Sequence, residues 1–294
     1  MRTVGLTTLL LVLLLTAIPA VAVDVDLSGT FGNLGFAEDR EASKTSLGAS
    51  SYNWGFNGAL SVPVSQALSV RAAVHRDPMT ENSVRFSFEH ESQYVTMAVG
   101  TYLGVLESFA SPLKIPPGIT ASLETRLPGV GYATVSAGRP LTDEPTKKGE
   151  YWQQFTHAGL GFNLPNVIAG FHYRNAQKLV GTSSGQTRDE RTEYAFTTDI
   201  FAKNVPYTVF LTFGYRDYTR EFLVDGSAET THASGSLLFG ARVNVTVSQT
   251  VTVYTGISNG VYTFGREDLL GSFAEDAYLF QTTAGVSLSL DEDR

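Results

Sequence analysis

Along most of the chain, apolar and polar residues alternate one by one. This is the two-residue period of a strand whose faces meet different surroundings. From Ser51 to Val64, for example, Tyr52, Trp54, Phe56, Leu60 and Val62 share one face, and polar residues such as Asn53, Asn57 and Ser61 share the other. Fourteen such segments are predicted, near Val25–Phe36, Tyr52–Val64, Leu68–Arg76, Ser83–His90, Tyr94–Leu103, Ile119–Leu127 and Val130–Arg139 in the first half. The second half adds Phe155–Leu164, Val167–Arg174, Glu193–Ala202, Tyr207–Tyr218, Ala233–Val245, Val251–Tyr262 and Ala277–Leu290. Tight connections at Ser65-Gln66, Glu91–Gln93, Pro128-Gly129, Pro165-Asn166, Lys203–Pro206 and Ser248-Gln249 take turns with longer, more polar ones. In the first strand and in Val130–Arg139 the alternation is weaker, with Tyr132 and Val135 asking for opposite faces, so twelve or sixteen strands stand as alternatives.

The one continuous apolar stretch lies at the start. Met1–Ala22 has Arg2 near its beginning, apolar residues around Leu9–Leu15 and the small-x-small triplet Ala20-Val21-Ala22, which predicts a cleaved export signal and a mature chain from about Val23 to Arg294. Beyond it no run approaches the ~20 apolar residues of a membrane-spanning helix. An exported chain of alternating strands can put one face in lipid only if the sheet closes, since an open edge would leave backbone groups unpaired in hydrocarbon. The fold expected is therefore all-β, a single closed antiparallel transmembrane barrel with short turns at the periplasmic end and longer loops outside.

Aromatic placement favours the barrel over a soluble sandwich. Tyr52, Trp54, Tyr173, Tyr194, Tyr215 and Tyr278 all fall on the predicted lipid face, each at the strand end beside a long connection. A membrane barrel gathers such rings in a girdle at the interface, whereas a sandwich has no reason to do so. Over its mature length the chain resembles the bacterial outer-membrane porins, particularly the monomeric fourteen-stranded ones, by this pattern rather than by a diagnostic motif. The resemblance implies residence in the outer membrane, contact with its lipids and insertion by the barrel-assembly machinery. The chain departs from such porins at its end: Asp291-Glu292-Asp293-Arg294 follows the last alternating residues, where porins generally finish on an aromatic residue.

Composition narrows the partners. With 21 Lys and Arg against 29 Asp and Glu the formal charge is −8, which argues against nucleic acid as a ligand. The chain has no cysteine, so neither disulfides nor a lipid-modified N-terminal cysteine is available. Apolar residues make up 43%, an ordinary value for a soluble protein, because in a barrel only every second residue meets lipid.

Fourteen strands ~4.8 Å apart and tilted ~40° enclose a backbone diameter of about 28 Å, too wide for side chains to fill. Strand one begins within a few residues of the predicted cleavage site, unlike the long-chain fatty acid transporters, whose N-terminus forms a hatch. The polar phase assigns Arg71, Arg85, Arg126, Arg174, Arg216 and Arg242 to the lumen, with Glu89, Glu124, Glu193 and Asp199. These charges either act as an eyelet field on passing solutes or pair across strands to brace the wall. On Ala233–Val245 the same phase turns Leu237, Phe239 and Ala241 to lipid, and Leu238 and Gly240 to water inside. The connection Gly104–Gly118 is the most apolar and is a candidate to fold inward.

Chemistry is sparse. Gly256-Ile257-Ser258-Asn259-Gly260 is similar to part of the nucleophile segment of outer-membrane phospholipase A, but Gly256 stands where that family has its histidine, and a serine without a base is a weak nucleophile. His75, His90, His157, His172 and His232 are scattered in sequence, and no metal or cofactor is expected. Three functions stay open: passive diffusion of small hydrophilic solutes, a surface adhesin or structural barrel, and transport of hydrophobic compounds.

Overall fold

The computed structural model describes residues 23–32, 53–77, 81–104, 117–145, 150–201, 205–224, 226–265 and 279–290. They form fourteen antiparallel strands: β1 (Asp24–Gly32), β2 (Asn53–Ser65), β3 (Leu68–Asp77), β4 (Glu81–Glu91), β5 (Val95–Gly104), β6 (Pro117–Leu127), β7 (Gly131–Pro140), β8 (Tyr151–Leu164), β9 (Val167–Gly181), β10 (Gln186–Phe201), β11 (Tyr207–Val224), β12 (Ser227–Thr246), β13 (Val251–Gly265) and β14 (Leu279–Ser289). Each strand pairs with its neighbours in sequence, and β1 pairs with both β2 and β14, so the sheet closes into a barrel. Every predicted segment corresponds to one strand, which removes the twelve- and sixteen-strand alternatives. Closure leaves no edge whose N–H and C=O groups would face hydrocarbon unpaired.

Turn chemistry sets the short end. At Pro128-Gly129 proline holds the first central position and Gly129 supplies φ 75°, while the Val130 N–H donates to the Leu127 carbonyl at 3.0 Å. Asn166, with φ 62°, serves the same purpose after Pro165. Pro63, which cannot donate to a ladder, sits in β2 where the pairing with β3 shifts register between Pro63 and Ser65.

Contacts that skip a strand identify the inner face, because only the concave side brings such residues together. Tyr102 of β5 donates its hydroxyl to the Gln153 carbonyl of β8, Arg85 of β4 lies 4.1 Å over the Phe155 ring of β8, and Tyr254 of β13 donates to Asp26 of β1 at 2.9 Å. The opposite phase carries the exposed apolar residues, among them Phe88, Val99, Leu160, Phe171, Phe196, Phe213 and Phe239. This is the face that alternation assigns to lipid. Tyr173, Tyr194 and Tyr215 are successive cross-strand partners on it, with the Tyr173 and Tyr194 rings 5.4 Å apart. Of the other predicted girdle residues, Trp54 stands opposite Phe31, while Tyr52 and Tyr278 lie outside the described residues. Exposed Tyr207 marks the other end of β11 on the same face. Eight residues separate it from Tyr215, about 21 Å along the barrel axis at ~3.4 Å per residue and ~40° tilt, close to the ~25 Å apolar band of such barrels.

The strands do not stop at the tyrosine row. β9 continues to Gly181, β10 begins at Gln186, β11 runs to Val224 and β12 begins at Ser227, so the stretches expected as long loops are strand with short tips. Alternation could not reveal them, because beyond the tyrosine row polar and charged residues occur on both faces. The wall rises eight residues beyond Tyr194 on β10, about 21 Å along the axis at the same rise and tilt. A small apolar cluster of Trp152, Leu179 and Leu223 supports it from the outer phase. The β7–β8 connection is tied to the same region, Gln186 donating its side-chain amide to the Pro145 carbonyl and the Gly181 N–H to the Glu150 carbonyl.

Candidate functional site

The inner wall is built from glycine as much as from charge. Four lumenal rings lie flat on glycines of the next strand: a Cβ added at Gly118 would sit 2.1 Å from the Tyr102 ring, at Gly138 2.2 Å from Phe155, at Gly161 2.0 Å from Tyr132 and at Gly285 2.3 Å from Tyr254. Each ring occupies the space that a side chain on its glycine would need, and the Tyr102 and Tyr254 hydroxyls reach on past that strand to β8 and β1. The conflict between Tyr132 and Val135 resolves in the same way, Tyr132 lying inside on Gly161 and Val135 exposed outside.

All ten charged residues assigned to the lumen fall on the inner phase of their strands, but their surroundings differ. Arg71 approaches Glu89 at 3.5 Å. Arg126 bonds Glu124 at 2.6 Å and Glu91 at 3.1 Å. Arg216 holds Glu193 through two bonds of 3.1 and 2.9 Å, and Arg174 reaches the same carboxylate at 3.5 Å. Arg85 and Arg242 are instead stacked on rings, Arg85 on Phe155 and Arg242 4.2 Å over Phe210 and 5.5 Å from Tyr254. Asp199 is opposite Phe210, and Phe210 is opposite Arg242, so the three form one row. Wall bracing is thus built in at Glu89, Glu124 and Glu193. Several of the bases still reach solvent, the Arg71, Arg126 and Arg174 side chains being 45%, 52% and 56% exposed.

Residues scattered in sequence meet here. The β8–β9 hairpin brings His157 and His172 together, with 3.2 Å between His157 Nε2 and His172 Nδ1, and Tyr132 Oη lies 3.2 Å from His172 Nε2. Their stacked rings lie where Gly159 and Gly170 leave room. His90 is exposed at the end of β4, and His75 and His232 occupy positions on β3 and β12. Among the described residues no group of three or more metal-ligating side chains is found. Ser258 of β13 has Gly240 and Gln281 as its cross-strand partners, neither of which is a base. Leu238 departs from the expectation of a watery neighbourhood. It is on the inner phase, but only 6% exposed, packed beside Gly214 and Gly260.

A second charged tier stands above the first, and no single strand announces it in sequence. Asp189, Lys178 and Arg220 repeat on the upper wall the arrangement of Glu193, Arg174 and Arg216, with Arg220 to Asp189 bonds of 2.6 and 3.0 Å and Lys178 at 3.5 Å. The available signal was a spacing of four, from 174 to 178, 189 to 193 and 216 to 220, which keeps strand phase. Of the Gly104–Gly118 connection, residues 105–116 lie outside the described residues.

No family model and no curated protein matches the chain. Solved structures similar to it include an outer-membrane channel from Pseudomonas putida F1, 12% identical over 93% of this chain and 97% of that one, with a TM-score of 0.49. A loop-deletion mutant of OmpT, an outer membrane protein of Vibrio cholerae, is 10% identical over 92% and 99% of the two chains, with a TM-score of 0.46. The CymD monoaromatic hydrocarbon channel is 8% identical over 93% and 90%, with a TM-score of 0.46.

Proposed function

We propose that this protein is a channel of the bacterial outer membrane through which small hydrophilic solutes diffuse passively, delivered there by a cleaved export signal at residues 1–22. The observation that carries the reading is the two-sidedness of the closed wall. Its outer phase is apolar between the tyrosine row and Tyr207, and its inner phase carries charged and polar side chains, several of them in solvent. A fourteen-stranded closed sheet of round section has an interior about 28 Å across between backbones, too wide for side chains to fill. Such passage needs neither energy nor cofactor.

Conductance in planar bilayers tests the reading: a stable ohmic current is expected, and a properly folded barrel that carries none would leave the adhesin or structural alternative. Replacing Arg71, Arg126 and Arg242 together by serine then separates field from bracing. A shift of the reversal potential towards cations supports an eyelet role, and an unchanged potential in a folded variant removes it.

A further inference from the structure

We propose that the mouth of the barrel collects small oxyanions from outside, through a positive strip on the inner side of the wall that stands above the tyrosine row. The proposal rests on the channel reading given above. Charges on β9, β10 and β11 above that row separate by face. On the inner phase Glu193 lies between Arg174 and Arg216, four residues further out Asp189 lies between Lys178 and Arg220, and Arg191 falls between the two tiers. Five bases face two acids there. On the outer phase of the same stretch Arg188 stands with Glu190, Asp217 and Glu221, one base against three acids. The wall is positive towards the lumen and negative towards the exterior, in a chain whose formal charge is −8.

The pairing within each tier shows where the excess charge resides. The acids are the buried members, with the Asp189 and Glu193 side chains 3% and 9% exposed. Arg220 satisfies Asp189 at 2.6 and 3.0 Å, and Arg216 satisfies Glu193 at 3.1 and 2.9 Å, each with two charge-assisted bonds. Lys178 and Arg174 approach the same acids only at 3.5 Å, and Arg174 keeps 56% of its side chain in solvent. One base per tier is therefore in excess. Four residues along a strand are about 14 Å, comparable to the ~10 Å Debye length at 0.1 M salt, so the fields of the two tiers overlap in dilute solution. A water-filled mouth with a low-dielectric wall of one sign focuses that field on incoming ions. Carboxylates and phosphates are the solutes whose oxygens suit guanidinium and ammonium donors.

The test uses the whole barrel in planar bilayers, its orientation read from a protease-sensitive tag in the turn at Thr182–Gly185, with citrate added to either side of a potassium chloride gradient. Arg174→Gln with Lys178→Gln leaves each acid its closer base while removing both excess charges. Wild type is expected to be anion-selective, more so as salt is diluted, and citrate to reduce current at a severalfold lower concentration from the outer side than from the inner. Both preference and sidedness should fall at least twofold in the double variant, and Arg188→Gln on the outer phase should change neither. A conducting double variant with the wild-type reversal potential overturns the collecting strip and leaves the channel standing. A wild type without conductance overturns both. If the double variant does not fold, wild type alone decides, since equal citrate inhibition from the two sides overturns the proposal.

Discussion

An arginine moved stepwise along the outer phase of β11 measures where the membrane begins and ends. Val209, Leu211, Phe213 and Tyr215 follow one another on that phase, bounded below by Tyr207, and Thr219 lies above the tyrosine row. Each step of two residues changes depth by about 5 Å at ~3.4 Å rise and ~40° tilt, which puts Leu211 about 10 Å from either tyrosine. Leu211→Arg should therefore cost about 2–4 kcal/mol, the value for arginine at a bilayer midplane, and Tyr215→Arg about 1 kcal/mol at the interface. Phe213→Arg should fall between, with up to ~1 kcal/mol added for loss of the ring pair with Phe239, whose centroid is 5.0 Å away. Thr219→Arg should be close to neutral. Guanidinium unfolding of the barrel in lipid vesicles, followed by tryptophan fluorescence and heat-modifiable gel mobility, gives all four values. A flat profile, or a Thr219→Arg penalty equal to that of Leu211→Arg, would refute the assignment of the tyrosine row to the membrane boundary.

Other expectations follow from the inner wall and the topology. Leu238→Arg should cost about 1.5–3 kcal/mol, no more than Leu238→Ala, because both lose a buried leucine while the longer side chain can still place its charge in the lumen, and an arginine penalty well beyond that of alanine would mean the strand phase is wrong. Glu193→Gln should destabilise by up to about 3 kcal/mol by leaving Arg216 without its carboxylate, whereas Arg174→Gln, which removes only a 3.5 Å contact, should cost under ~1 kcal/mol in the same unfolding assay. Gly161→Ala puts a methyl 2.0 Å from the Tyr132 ring and should cost about 1–3 kcal/mol, most of it recovered on a Tyr132→Ala background; additive single effects would show that the ring does not need the glycine. Epitope tags in Ser184–Gly185 and Gly226–Ser227 should bind antibody on intact cells and a tag after Arg294 should not, the reverse pattern inverting the topology.

How far sequence carries depends on whether a residue's two neighbouring environments differ. Within the membrane they differ sharply, lipid on one side and polar surroundings on the other, so the two-residue period exposes fourteen strands and the phase that puts Phe213 and Phe239 outside and Arg216 and Arg242 inside. Turn residues add the short end, since Gly129 and Asn166 occupy positions that need positive φ. Above the tyrosine row the contrast vanishes. Strand there is held by cross-strand ion pairs and by the Trp152, Leu179 and Leu223 cluster, which are relations between distant parts of the chain and leave no period in any one of them. The same limit hid the meeting of His157 with His172 and the burial of Leu238. Closure was expected from alternation in an exported chain, but the pairing that makes it, β1 with β14, joins residues almost a whole chain length apart and is seen only in the tertiary structure. The sequence by itself indicated fourteen segments and the phase of most of them, because both are written within a few residues, and the structure removed the twelve- and sixteen-strand alternatives and settled the phase of β7. Charge pairing, the flat seating of rings on glycine and the height of the wall were decided by register between strands, which only the closed tertiary structure supplies.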